Sequence, residues 1–306
     1  MPSDTKQLFI ITGDIGGTNS RMRCYNSDGS KEICKHDFRN EEHIPRKENE
    51  IFERRILVPF LETCRQAIYA DSQNVFDHCE LVVCLAVAGF VRDHNEVCVS
   101  SLHQIVIRGD AIATFLQKQF SVTVKICKII NDFVAQGFGC LTLESDEVEE
   151  LTSVSYADMD PNGPKVCVGA GSGLGECFLI PNIVQASDCG TGASWKQYSC
   201  FPSEGGQNEF SPRSDIEVEL WKFLQVPERN NFVSVECVVS GRGLAHCYRF
   251  LAQKFPEKVD VQLDTLFHKA GDDQGKLVAQ YAKTDTLCGQ AMDLMMRYVL
   301  LEGTVG

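Results

Sequence analysis

Short runs near the start of the chain alternate apolar and polar residues, a pattern typical of β-strands. Three such runs predict strands at Leu8–Asp14, Arg21–Tyr25 and Glu32–Phe38. The longer segment 49–70 instead repeats its apolar residues every three or four positions, which predicts an amphipathic helix. Pro59 lies inside this segment and predicts a kink or a late start, because proline cannot donate the helical hydrogen bond.

Strands and helices continue to alternate as far as residue 130. The predicted elements are a buried strand at Leu81–Ala88, a short strand at Glu96–Ser100, a helix at Asp110–Gln119 and a strand at Val124–Ile130. Strands that alternate with helices indicate an α/β fold with a mixed sheet.

A new set of elements begins after the acidic and then Pro/Gly-rich stretch 143–163, which is typical of a loop close to a domain boundary. Two strands, "KVCVG" and "GECFLI", surround a glycine loop there. Ser214 and Glu217 have the spacing of a capping box at the start of a helix. We therefore expect two domains, 1–140 and 141–306, which each begin with a strand, a glycine loop and another strand.

Composition limits the classes of partner. The 306 residues are 43% hydrophobic and 23% charged, as in soluble globular proteins. The net charge of −13 argues against a nucleic-acid partner, because such binding depends on Lys and Arg at the phosphates. The longest apolar run, at 81–90, is too short to cross a bilayer, and the first residues do not resemble a secretory signal. We expect a cytoplasmic protein that binds no membrane.

The 15 cysteines are spread along the chain and form no CxxC pair. Zinc sites need clustered ligands, so the spacing argues against a zinc site. We expect thiols that pack as small apolar groups in a reducing compartment.

Two glycine-rich loops are the strongest candidates for chemistry. The first is "GDIGGTNS" at 13–20 and the second is "VGAGSGLGE" at 168–176. The second loop lacks the glycine spacing of a dinucleotide fingerprint, and the chain has no GxxxxGK[ST] sequence. Each loop alone is typical of a hairpin or a bulge. Two such loops, one at the start of each half, favour a pair of phosphate-binding turns.

Five motifs, in order and spacing, resemble those of the bacterial-type glucokinases, which belong to the sugar-kinase/heat-shock/actin superfamily. They are "GDIGGTNSR", "IINDFVA", "GAGSGLGE", "PSEGGQNEFSP" and "ECVVSGRGL", and the likeness runs from about residue 8 to about residue 296. The resemblance implies a two-domain, actin-like (ribonuclease H-like) α/β fold with an interdomain cleft. It also implies ATP-dependent phosphorylation of glucose at its 6-hydroxyl, with Mg²⁺.

The resemblance also implies roles for individual residues. Asp132 would be the catalytic group that accepts the hydroxyl proton, and we expect the helix dipole to keep its carboxylate ionised. Gly205 and Gly206 would leave room for the sugar ring. The implied glucose-binding residues are Asn131, Glu204, Gln207, Glu236 and Ser101. The implied nucleotide-binding residues are Asp14, Gly16, Gly17, Thr18, Gly169, Gly171, Ser172 and Gly173, and Asp14 would also lie near Mg²⁺, through water.

The sequence departs from the family pattern in three places. Gln207 stands where the family usually has His, and Ser100 and Ser101 stand where it usually has Thr-Asn, so we expect an altered affinity or sugar preference. The chain also ends before the segment that binds adenosine in the family. From this we expect weaker ATP binding, lower stability or reliance on a partner chain, for example in a homodimer.

Two other functions remain open at this stage. One is a catalytically inactive glucose-binding paralogue or sensor, and the other is a kinase for another hexose such as an N-acetylhexosamine. Asp14, Asp132 and the two glycine loops favour the glucose kinase, because a protein that only binds sugar has no need of phosphate loops.

Overall fold

The computed structural model divides the chain into two compact units, Met1–Glu149 and Glu150–Gly306. It describes residues 6–70, 76–92, 95–149, 160, 163–182, 198–227, 230–283 and 286–302. Across these ranges, no helix combines the length and the apolar character that a membrane crossing requires.

The strands of the first unit are β1 (Leu8–Ile15), β2 (Asn19–Tyr25), β3 (Glu32–Arg39), β4 (Glu80–Val87), β5 (Val91–Arg92), β6 (Glu96–Val99), β7 (Ile105–Arg108) and β8 (Thr123–Asn131). Five of them form a mixed sheet with the order β3-β2-β1-β4-β8. Strands β1, β4 and β8 are parallel, whereas β1 and β3 are both antiparallel to β2. The strands expected from the alternating pattern are confirmed, and so is the mixed sheet.

Strands β5, β6 and β7 form a separate small sheet, of which only β6 was predicted. β5 has two residues, which is too short for a recognisable alternation, whereas β7 has four, as β6 does, and its alternation was missed. Asn95 connects this sheet to the edge of β8, since its side chain donates to the Cys127 carbonyl at 2.7 Å and accepts from the Ile129 amide at 2.6 Å. These bonds hold the strand that leads to Asn131.

Helices pack around the sheet of the first unit. They are α1 (Asn40–His43), α2 (Val58–Ala70), α3 (Gly109–Gln119) and α4 (Asp132–Cys140). Pro59 is the second residue of α2, and a π-helical turn, Glu53–Leu57, precedes it. Residues 51–52 are already helical before this turn, so the irregularity that Pro59 predicted is found as a π-helical turn and not as a late start.

The register of the parallel strands aligns their carboxyl ends. Asp14 pairs with Ala86, and Ala86 pairs with Ile130; the next row joins Ile15, Val87 and Asn131. Neighbouring strands lie about 4.8 Å apart, so residues that follow β1, β4 and β8 meet at one edge of the sheet.

The second unit contains an antiparallel sheet and a group of helices. The sheet has the order β11-β10-β9, with β9 (Lys165–Ala170), β10 (Leu174–Pro181) and β11 (Tyr198–Ser203). The predicted pair of strands around the glycine loop is thus confirmed. The helices are α5 (Asp215–Leu224), α6 (Gly241–Lys254), α7 (Val261–Lys269), α8 (Gln274–Gln280) and α9 (Leu287–Glu302). Their apolar faces meet around α6, whose Leu244, Cys247 and Leu251 are buried.

The predicted capping box at the start of α5 is wrong in its hydrogen bonds, although Ser214 does precede the helix. Glu217 Oε2 accepts from the backbone N–H of Arg213 at 2.6 Å, one residue before the amide that a capping box uses. The Ser214 hydroxyl is buried and has no partner in the described part of the chain. The spacing therefore located the helix start but not the contacts that form there.

Candidate active site

The first glycine turn, Gly16–Thr18, joins β1 to β2 and is held by a residue from outside the motif. Asn40 is buried; its Nδ2 donates to the Gly16 carbonyl at 2.8 Å and its backbone N–H donates to the Thr18 carbonyl at 2.9 Å. The hydroxyl of Ser20 donates to Asn40 Oδ1 at 2.7 Å, which fixes the orientation of the amide. The carbonyls of the turn therefore point inward.

The same turn exposes backbone donors. Gly17 and Thr18 are exposed, and no protein atom in the described ranges accepts a hydrogen bond from their N–H groups. Successive free N–H groups in a tight turn form a concave site for an anion. The hydroxyl-bearing Ser101 lies beside them, since a Cβ added to Gly17 would lie 3.0 Å from the Cβ of Ser101. The structure thus brings a predicted sugar-binding residue next to the predicted phosphate turn.

Asp14 lies near the end of β1 with its carboxylate open to solvent. It forms an ion pair with Arg21 across the β1–β2 hairpin at 2.8 Å, and both side chains are about half exposed (52%). These two residues line an open depression of about 370 Å³, together with Gly13, Ala86 and Ile130. An exposed ion pair of this type contributes little to stability, so the carboxylate can exchange partners at low cost.

Asn131 and Asp132 lie at the junction of β8 and α4. Asn131 is the N-cap residue, and its Oδ1 accepts from the N–H groups of Phe133 at 2.9 Å and Val134 at 3.1 Å. Its Nδ2 donates to Asp132 Oδ1 at 3.0 Å and to the Gly89 carbonyl at 3.1 Å. All the hydrogen-bonding capacity of this amide is therefore used within the protein.

Gly89 is required at the end of β4 by its backbone conformation. Its φ is +133°, a backbone conformation that residues other than glycine rarely adopt. A Cβ there would also approach the Val97 side chain at 3.2 Å. The hydrogen bond from Asn131 to the Gly89 carbonyl thus joins two adjacent strand ends through a fixed turn.

The pKa of Asp132 is raised above its ordinary value, mainly because the half-buried carboxylate loses solvation. The Phe133 N–H group donates to Asp132 Oδ1 at 3.0 Å and opposes the shift, whereas the negative charge of Asp14 adds to it. Burial thus shifts the pKa against the ionised form, opposite to the effect expected from the helix dipole, and the ionised state of Asp132 stays a prediction.

In the second unit, the loop Gly171–Gly173 connects β9 to β10 and is fastened to the start of α6. Gly171 N–H donates to the Gly173 carbonyl at 2.9 Å, and Gly241 N–H donates to the Gly171 carbonyl at 2.8 Å. Ser240 caps the helix, because its hydroxyl accepts from Gly243 N–H at 2.8 Å. The motifs "GAGSGLGE" and "ECVVSGRGL" are thus brought together, with Ser172 exposed at the tip.

Glu236 braces this loop from the other side. Its Oε2 accepts from Leu174 N–H at 3.0 Å, and its Oε1 accepts from Arg242 at 2.8 Å. A Cβ added to Gly173 would lie 2.2 Å from Oε2, so the close approach of the carboxylate requires glycine. The predicted sugar-binding glutamate therefore has a structural contact that the sequence did not indicate.

The turn "SEGG" packs against the start of β10. A Cβ on Gly205 would lie 2.0 Å from Glu176 Oε2, and one on Gly206 would lie 2.5 Å from the Leu174 carbonyl. Protein atoms thus fill the space that a Cβ would take at these two glycines, and the expected room for a sugar ring stays a prediction. The side chains of Glu204 and Gln207 are exposed on the same turn.

Two residues that fix the site escaped the sequence analysis. Asn40 follows β3 with no local motif, and its role depends on a contact with a turn 24 residues earlier. Glu176 is the last residue of "GAGSGLGE", so the motif contained it, but its bond from Ser203 at 3.0 Å depends on the pairing of β10 with β11.

Comparison with known proteins assigns the chain to a family. The glucokinase family profile matches residues 11–302. The chain is 33% identical over 251 residues to a glucokinase of Synechocystis sp., which covers 78% of this chain and 64% of that protein. It is 30% identical over 300 residues to a glucokinase of Nostoc sp., which covers 94% of this chain and 77% of that one. The chain thus spans about two thirds to three quarters of the length of these relatives.

Solved structures agree in fold. The glucokinase from Balamuthia mandrillaris in complex with glucose superposes with a TM-score of 0.63 at 19% identity, over 96% of this chain and 74% of that one. A ROK family glucokinase from Streptomyces griseus in complex with glucose and AMPPNP gives a TM-score of 0.53 at 18% identity, over 95% and 76% of the two chains. The fold is therefore that of the actin-like sugar kinases. The glucokinase family profile matches nearly the whole length of this chain, so the chain belongs to the glucokinase family.

Proposed function

We propose that the chain transfers the γ-phosphoryl group of ATP to the 6-hydroxyl of glucose. The observation that carries this proposal is the arrangement at the ends of β8 and β1. Asp132, an oriented carboxylate of raised pKa, lies at the same edge of the sheet as the exposed turn Gly16–Thr18, and the charge of Asp14 acts on it. Both the family and the motifs support the same reaction.

We assign Asp132 as the residue that binds the attacking hydroxyl group of the sugar. In phosphoryl transfer the proton leaves late, so the carboxylate mainly orients the nucleophile and accepts its proton as the new bond forms. Burial raises the pKa of Asp132 and so makes the carboxylate a stronger base than an exposed aspartate. Asn131 and the Phe133 N–H group hold one carboxylate oxygen, which leaves the other for the substrate.

The first unit also offers groups for the transferred phosphoryl. The free N–H groups of Gly17 and Thr18 suit its oxygens, and Gly16 gives the turn its shape. The exposed carboxylate of Asp14 fits a hydrated Mg²⁺ ion, which keeps most of its water ligands and prefers oxygen donors. When bound with ATP, such an ion neutralises phosphate charge.

The second unit contributes the loop that contains Gly169, Gly171, Ser172 and Gly173. We assign it to the phosphates of the nucleotide, because the exposed serine at its tip stands on a loop that is fastened on both sides. Gly173 must remain glycine for Glu236 to brace the loop.

Sugar hydroxyls are assigned to the exposed side chains of Glu204, Gln207 and Ser101. Glu236 can take part as well, since each carboxylate oxygen has a lone pair left after its bonds to Leu174 and Arg242. Asn131 has no such capacity, so we assign it first to the positioning of Asp132.

Product analysis tests the proposed reaction. The purified chain is incubated with Mg²⁺, glucose and ATP, ADP or polyphosphate, and the phosphorylated sugar is identified by ³¹P and ¹³C NMR. Glucose 6-phosphate formed only with ATP supports the proposal. Phosphorylation of N-acetylglucosamine in preference to glucose contradicts the proposed substrate, and glucose binding without any phosphorylation points to a sugar-binding paralogue.

A further inference from the structure

Three cysteines of the first unit form a cluster that the sequence analysis did not anticipate. The Sγ atoms of Cys24, Cys34 and Cys64 all lie within 4.8 Å of one another. The sulfur atoms of Cys34 and Cys64 are 2.9 Å apart. Spacing along the chain could not reveal this cluster, because β-strand pairing and helix packing bring together residues that are distant in sequence.

The secondary structure determines which pair can react. Cys24 and Cys34 are direct partners across β2 and β3. The Cβ atoms of such partners lie about 4.5–5.5 Å apart, whereas a disulfide needs about 3.8 Å. Cys64 comes from α2, which packs over β3, and it approaches Cys34 from outside the plane of the sheet. The helix–strand pair is therefore the better placed for a bond.

Cys34 and Cys64 differ in solvent exposure and in acidity. Cys64 is fully buried, whereas Cys34 is partly exposed. Hydrogen bonds from the thiols of Cys24 and Cys64 lower the pKa of Cys34, and burial raises the pKa of Cys64. The accessible sulfur is thus the one that favours the reactive thiolate.

We propose that Cys34 and Cys64 form a reversible disulfide when the protein meets hydrogen peroxide or another hydroperoxide. The Cys34 thiolate attacks the peroxide, the O–O bond breaks, and Cys34 sulfenic acid and hydroxide are formed. The Cys64 sulfur then attacks the sulfenic sulfur. The S–S bond forms as the S–O bond breaks, and the proton of Cys64 leaves with the hydroxyl as water. Two electrons pass from the two thiols to the peroxide, and a dithiol reductant restores them.

The surroundings favour this bond over a bound metal ion. Three thiolates at one cation would place a net negative charge among the buried side chains of Phe60, Leu61 and Ile68 on α2. Sulfurs bound to zinc at about 2.3 Å in a tetrahedral site lie roughly 3.8 Å apart, so the close pair would have to separate. A disulfide is neutral and requires the same two atoms to approach.

Trypsin mapping can identify the bond, because the three cysteines fall in separate tryptic peptides: 24–31, 32–35 and 56–65. The full chain is treated with a small excess of hydrogen peroxide, remaining thiols are alkylated, and the digest is analysed by mass spectrometry. We expect peptide 32–35 linked to peptide 56–65, a loss of two titratable thiols per chain, and full recovery with dithiothreitol. The wild-type experiment needs no variant, so it does not depend on how well a substituted chain folds.

Two variants serve as matched tests. Cys24→Ala removes the third thiol of the cluster and should leave the link between 32–35 and 56–65 in place. Cys34→Ser should abolish the link and leave Cys64 reduced. Three results would overturn the proposal: a dominant link through peptide 24–31, oxidation confined to the exposed Cys98 and Cys140, or one Zn²⁺ per chain that protects all three thiols from alkylation.

Discussion

Asn131 and Asp132 form one hydrogen-bonded unit, in which Asn131 Nδ2 donates to Asp132 Oδ1 at 3.0 Å while Asn131 Oδ1 caps the helix that Asp132 begins. The orientation of the proposed catalytic carboxylate therefore depends on the same side chain that starts α4. The two functions of Asn131 can be separated, because they use different atoms of its amide.

Asn131→Ser tests this separation. Serine is a good N-cap residue but has no amide NH₂ group to donate to Asp132 and to the Gly89 carbonyl, so we expect a small loss of stability and a lower kcat for glucose phosphorylation. Asn131→Ala loses the cap as well and should cost about 0.5–2 kcal/mol of stability beyond the serine variant. Thermal unfolding and steady-state kinetics of the two variants check this. A serine variant with wild-type kcat would show that the amide donor has no positioning role.

Asp132→Asn should stabilise the protein. Burial raises the folded-state pKa of Asp132, so between the ordinary value and the raised one the folded chain holds a proton that the unfolded chain has lost. The stability contributed by this residue therefore falls as pH rises through that window and stays lower at neutral pH. The melting temperature of the variant at pH 7 should exceed that of the wild type, and the difference should shrink towards pH 4.

Asp37→Asn is the matched control for that experiment. In the wild type, the hydrogen bond from Arg23 lowers the pKa of Asp37. The ionised form of Asp37 therefore stabilises the fold at neutral pH, and this contribution is lost as the pH falls through the lowered pKa. The control variant should therefore not gain stability at neutral pH. A gain of similar size in both variants would point to a general charge effect in this acidic chain.

Asn40→Ala should disturb the proposed phosphate turn Gly16–Thr18, because Asn40 holds the carbonyl of Gly16. The change leaves the Gly16 carbonyl and the Ser20 hydroxyl without their partner, so we expect a loss of about 1–3 kcal/mol in stability and a higher KM for ATP. Ser20→Ala removes only the bond to Asn40 Oδ1 and should have a smaller effect on KM. Denaturant unfolding and kinetics at varied ATP concentrations measure both; an unchanged KM for ATP in Asn40→Ala would contradict the proposed role of the turn.

Gly173→Ala and Gly171→Ala form a matched pair in the second unit. The added methyl group at Gly173 would meet the carboxylate of Glu236, whereas at Gly171 no described atom lies within 4 Å of it. We expect weaker ATP binding for Gly173→Ala and little change in the loop for Gly171→Ala. Calorimetric titration with AMPPNP distinguishes the two. Adding Glu236→Ala to Gly173→Ala should relieve the steric clash but not restore the brace.

Much of the fold could be predicted from local pattern. The alternation in the strands of the first unit placed β1, β4 and β8 to within two residues, and the proline in the segment before α2 predicted the irregular start of that helix. Motif order indicated which loops carry the site. These features depend on residues close in sequence, where periodicity and backbone chemistry are informative.

What the sequence missed depends on long-range contacts. The role of Asn40 follows from the packing of α1 against the β1–β2 turn, and the Cys34–Cys64 pair follows from α2 lying over β3. The direction of the Asp132 pKa shift required the burial of its carboxylate, which no local pattern gives. In the capping-box sequence, Glu217 reached a neighbouring amide instead of the expected one.

The most direct test of the proposed mechanism is the kcat of Asp132→Asn with Mg²⁺, ATP and glucose, measured beside the glucose affinity of the same variant. Loss of the proton acceptor should lower kcat by about 10²–10⁴-fold, while the Kd for glucose changes only a few-fold because the fold and the other hydroxyl partners remain. A variant that phosphorylates glucose at the wild-type rate would contradict the assignment of Asp132 as the catalytic base.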